Sequence, residues 1–216
     1  MEKLFQFEKL ASENLTIAES DKKLAKKLKT LAKSELEKCK AITQLVKKEL
    51  QLTKIRKEVA LNMKELVEEK MKLKDGGILK FSDEELRKEI TFSIYTGKIA
   101  IVQKFIADNQ QEIANLEEKI ATTRQKYAQD TLNFAKKREE LSKKLIAYVT
   151  TVKEKGPGKQ ILKAKKDCEK LQQDLIKEKK KLLLNEGEIK DLEKELADLE
   201  KELSLKFSEL ETIRNS

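Results

Sequence analysis

Ile161, Cys168, Leu175, Leu182, Ile189, Leu196, Leu203 and Leu210 follow one another at intervals of seven residues. Ala164, Leu171, Leu192, Leu199 and Ile213 stand three residues after members of that series. Side chains spaced in this way return to one side of an α-helix, so the two series form a narrow apolar seam that another helix covers best. The sequence therefore predicts an all-α fold of long helices, forming an elongated coiled coil or an antiparallel helical hairpin or bundle. Charged residues make up 40% of the 216 positions, aromatics only 5%, and one proline interrupts the chain, which disfavours a sheet-rich fold. The regular apolar spacing argues against disorder despite the high charge. Glu178 and Asn185 break the second series. They read as local weak points in an ordinary coil, the alternative being polar contacts that fix its register.

Two breaks organise the chain. In Lys74-Asp75-Gly76-Gly77, adjacent glycines weaken any continuing helix and supply turn angles. Beyond it, Ser82 can cap a new helix, Glu85 completes a capping box, and Phe81 can staple onto Leu86. In Lys155-Gly156-Pro157-Gly158, the proline removes a backbone donor. Residues 1–74 are thus read as an N-terminal coiled-coil helix, 75–82 as a glycine-containing turn, and 83–153 as a central helix with a wide apolar patch. Residues 154–158 form the Gly-Pro-Gly break, and 159–216 a C-terminal heptad coiled coil.

The central segment carries Ile113, Ile120, Tyr127, Phe134, Leu141 and Tyr148 at the same spacing, but its companion positions include Thr123, Asp130, Lys137 and Lys144. Imperfect or antiparallel packing fits this better than one two-stranded seam. The first segment shows Leu45, Leu52, Val59, Leu66 and Leu73, with Ile55 and Met63 alongside; Leu24, Leu28, Leu31, Leu36 and Cys39 continue the stripe after a phase shift. All such stripes are expected to be buried, with the covering surface left open.

Between residues 78 and 106 the apolar surface widens. Phe92, Tyr95, Ile99, Val102 and Ile106 extend it around the helix, and Ile78, Leu79 and Phe81 precede it. Phe81, Phe92, Tyr95, Ile99, Val102 and Ile106 form a candidate docking patch for another protein. The competing reading is the local core of a small bundle, completed by Leu4, Phe5, Phe7 and Leu10.

Formal net charge is +9, which makes acidic surfaces, including nucleic acid and acidic filaments, electrostatically acceptable partners. Glu186, Glu188, Glu193, Glu195, Glu200 and Glu202 flank the later seam and disfavour a parallel, in-register homodimer there. Lysine clusters at 163–166 and 177–181 could contact phosphate, but they accompany no zinc finger, helix-turn-helix spacing or aromatic RNA-binding motif. The absence of histidine excludes histidine-based triads, and no P-loop or dinucleotide-binding glycine pattern occurs. No catalytic, cofactor-binding or metal residues are assigned. Cys39 and Cys168 lie far apart in helical patterns and imply no disulfide framework; Cys168 reads as a buried structural thiol. No signal segment or membrane span is expected, and the cytoplasm, or alternatively the nucleus, follows by elimination; a cytoskeletal setting is expected because a basic rod can approach acidic filaments.

The seams resemble those of long coiled-coil scaffolds, including filament, kinetochore and cohesin-type arm proteins. The resemblance implies a non-enzymatic scaffold or adaptor that forms homo- or hetero-oligomeric coils with protein partners. The alternative function is a chromosomal or other nucleic-acid-associated structural protein.

Overall fold

The computed structural model describes residues 2–78, 80 and 82–215, with side chains from Phe5 onward. Three long helices pack against one another: α1 (Glu2–Asp75), α2 (Asp83–Lys153) and α3 (Gly158–Arg214). No strand occurs among the described residues, and the fold is an all-α helical bundle.

Local chemistry accounts for the helix ends. The Gly77 φ of 72° and the Ile78 N–H donating to the Leu73 carbonyl (3.0 Å) close α1 in a Schellman turn. The Glu85 N–H donates to Ser82 Oγ at 3.2 Å, and the Ser82 N–H donates to Glu85 Oε2 at 3.1 Å, a reciprocal capping box. Phe81 and Leu79 lie outside the described residues, so the Phe81 staple and its place in the docking patch do too. At the second break the left-handed residue is Lys155 (φ 50°), not a glycine. Gly156 is needed for a different reason: a Cβ there would stand 3.2 Å from the Thr151 carbonyl oxygen and 2.8 Å from its methyl. The Pro157 carbonyl accepts from the Gln160 and Ile161 N–H groups and so starts α3.

The chain divides into two compact units, and each helix contributes to both. The first comprises residues 1–37 and 119–192, the second 38–118 and 193–216. In the first unit, α1 and α2 run antiparallel, their register marked by the ion pairs Glu8–Lys153, Asp21–Arg138 (2.7 Å), Lys22–Glu139 (2.6 Å) and Glu35–Arg124. The buried face of α1 here is Ala11, Ala18, Ala25 and Ala32, that of α2 Ala121, Ala128, Ala135, Ser142 and Val149, both at intervals of seven. The register sets Ala25 level with Ala135 and Ala32 level with Ala128. Side chains this small let two helices approach closely.

α3 runs antiparallel to α2 in the same unit. Lys137 donates to Glu178 at 2.9 Å and Asn185 Nδ2 to Asp130 Oδ2 at 2.9 Å. Glu178 and Asn185, polar breaks in the α3 seam, therefore meet two of the polar companions on α2, Lys137 and Asp130. They hold register between facing helices rather than marking weak points.

The second unit repeats the scheme. Ala60 and Val67 on α1, and Leu86, Ser93, Ala100, Ala107 and Ala114 on α2, are buried at seven-residue spacing. Thr43 Oγ1 donates to the Ala114 carbonyl across the helix pair at 3.2 Å, and Lys70 bonds Glu89 at 2.9 Å. On the other side of α2, Val102 and Ile106 pack with Leu210, joined by Ile99, Leu203 and Ile213.

Two expectations for α1 are corrected. Its large apolar stripe is not buried, because the alanine series occupies the face turned to α2. Nor is there a phase shift. Leu24 and Leu31 belong to the same seven-residue series as Leu45, with Lys38 between them, while Leu36 and Cys39 lie toward the buried face.

Candidate docking faces

The α3 seam is set against α2 to differing degrees. Cys168, Leu192 and Leu210 are buried, whereas Ile161, Leu171, Leu175, Leu182, Ile189, Leu196, Leu199 and Leu203 are half-buried. Burial pushes the Cys168 thiol above its ordinary pKa, with the Asp167 carboxylate adding to the shift. Loss of thiolate character makes it a poor nucleophile.

The residues proposed as a docking patch separate into two groups. Val102 and Ile106 are buried and Ile99 half-buried in the core formed with α3, whereas Phe92 is 56% exposed and Tyr95 half-buried. Phe92, Tyr95, Arg87, Lys88 and Arg214 line a shallow surface depression in the second unit. The N-terminal aromatics take no part in this core. Glu8 is ion-paired with Lys153, whose ammonium stands 5.3 Å from the Phe5 ring centre, so they belong with the C-terminal end of α2. Phe5, Phe7 and Leu10 are exposed, and the Leu4 side chain lies outside the described residues.

A long uncovered apolar face lies on α1. In the second unit, Leu45 (62% exposed), Leu52 (55%), Val59 and Leu66 stand one above another at seven-residue spacing, with Ile55 beside them. Leu52 forms one side of a groove of about 430 Å³, with Ile106 and Ala107 of α2 and Phe207 and Leu210 of α3. Arg56, Glu49, Glu211 and Arg214 complete its edge. In the first unit a second cleft, of about 300 Å³, has Phe134, Leu141 and Leu145 of α2 at its base and Leu175 and Ile176 of α3 on one side. Arg138 lies in it, held by Asp21 and by Asn14 Oδ1 at 3.4 Å.

Sequence reasoning missed the alanine series and, with it, which face of α1 is free. The signal was present as small residues recurring every seven positions, at 11, 18, 25 and 32 and from 100 to 135. It also passed over Ile17, Ile176 and Leu183, all exposed.

No group of three or more potential metal ligands exists among the described residues, and none of their helices is long and apolar enough to cross a membrane. The sequence matches no protein-family model and no curated protein.

Proposed function

We propose that this chain is a non-enzymatic coiled-coil scaffold or adaptor that assembles with other proteins by accepting a helix along the uncovered face of α1. The observation that carries this reading is the exposed ridge Leu45, Leu52, Val59 and Leu66. Side chains of this size each gain about 1.5–3 kcal/mol on full burial, so a ridge of them favours a covering partner strongly. Seven-residue spacing selects an α-helix as the cover. Cytoplasmic assembly beside an acidic filament is the setting that the +9 net charge supports.

The test is a triple variant, Leu45→Ser, Leu52→Ser and Leu66→Ser. It is expected to keep the wild-type helical circular dichroism and melting temperature while losing cross-linked protein partners in cell extract and any self-association by light scattering. Unfolding of the variant would sink the reading, because the ridge would then be structural.

A nucleic-acid-associated structural role is the second reading. It is favoured by Lys40, Lys47 and Lys54, which are exposed at seven-residue spacing on another face of α1 in the second unit. Retention of duplex DNA or RNA at low salt, falling steeply as salt rises, would support it; no retention at low salt would remove it.

A further inference from the structure

We infer that the cleft of the first unit accepts an amphipathic helix whose apolar stripe is flanked by acidic residues. The inference rests on the helix-accepting reading above and adds the chemistry of the partner. Two exposed apolar ridges border the cleft. On α1, Ile17 and Leu24 follow Asn14, which lines it; on α3, Ile176 lines it and Leu183 stands one heptad further on. Both ridges keep the seven-residue spacing that a third helix can match between them. Phe134, Leu141 and Leu145 are only half-buried at the base, so a seated helix would remove them from water too.

The rim is basic. Lys179 lines the cleft, Lys180 adjoins it, and Lys165 and Lys166 occupy the corresponding positions two heptads earlier; all four are exposed. Lys27 stands beside Leu24 on the α1 side. Lys166, Lys179 and Lys180 make no ion pair among the described residues, and Lys165 reaches Glu169 only at 3.9 Å. Acidic groups near these faces are few or already engaged: Asp21 holds Arg138, Glu35 holds Arg124, and Glu186 pairs with Lys190 at 2.9 Å, leaving Glu13 and Glu169, the latter 3.9 Å from Lys165, as exceptions.

A second copy of the chain fits this rim poorly. The first-unit stretch of its α1 ridge carries Lys23 and Lys27 beside Leu24 and would set lysine against lysine. Its acid-flanked stretch of α3 already has Leu203 and Leu210 packed on Val102 and Ile106.

The probes are two synthetic helical peptides with one leucine heptad stripe, flanked by glutamate in the first and by lysine in the second. Each is titrated with the full chain by fluorescence anisotropy. The glutamate-flanked peptide is expected to bind roughly tenfold more tightly, with the advantage shrinking as salt rises. Lys166→Glu, Lys179→Glu and Lys180→Glu together should reverse the preference, and Ile176→Ser should weaken both peptides without changing helix content.

Equal affinity for the two peptides overturns the acidic partner but leaves helix capture standing. Binding of neither by the folded chain overturns both inferences. A dimer in light scattering whose formation excludes the peptide overturns this one by making a second copy the occupant.

Discussion

Glu139 is the residue whose surroundings do most to fix its charge. Lys143 donates to one of its oxygens and Lys22, from α1, to the other, each at 2.6 Å. Hydrogen bonding by Lys143 and then Lys22 lowers its pKa from 4.5 to about 2. Because the folded value lies below the ordinary one, this stabilisation is complete above about pH 4.5 and lost as pH falls toward about 2. Glu139→Gln should therefore lower the melting temperature near neutral pH, with the two melting curves converging as the solution is acidified through that window. Thermal melts followed by circular dichroism would check this.

Glu178 shows how a residue's identity can be legible while its meaning is not. A carboxylate in an apolar seam reads as a defect until Lys137 is seen opposite, and nothing in one sequence pairs positions on different helices. Glu178 is 6% exposed, and the bond from Lys137 lowers its pKa against the opposing effect of burial. Lys137 still reaches water, so Glu178→Leu should cost only about 1 kcal/mol in urea melts. Adding Lys137→Leu should restore most of that loss.

At the scale of elements, three helices and their breaks were readable because glycine and proline act locally. The α3 seam was readable because large apolar side chains carry the heptad signal. The α1–α2 contact was not, since alanine contributes little transfer free energy and its value lies in close approach, which no hydrophobicity count registers. The contrast can be tested within one heptad of α1. Ala25 is 1% exposed, and Ala25→Leu forces three extra carbons into a closed contact; it should cost about 1–3 kcal/mol. Leu31 is 68% exposed, and Leu31→Ser should change stability by no more than about 0.5 kcal/mol. Chemical denaturation of the two variants would decide whether small or large residues form the α1 core.

For the molecule as a whole, charge and heptads were sufficient to exclude sheets and name the fold class, but a single chain does not say which of its apolar stripes its own helices will cover. Exposed leucines on α1 are the result. The folded protein should accordingly bind the dye ANS while retaining its full helical signal, and serine at Leu45, Leu52 and Leu66 should reduce that fluorescence. The alanine ridges have a mechanical consequence in the first unit. A row of methyl groups presents almost no relief along the helix axis, so a displacement of α1 by one heptad would again set small side chains against small ones. The flanking charges Glu8, Asp21, Lys22 and Glu35 and their α2 partners oppose it. Pulled lengthwise, this helix pair would yield by sliding at the charged edges before it parted along the methyl-lined middle.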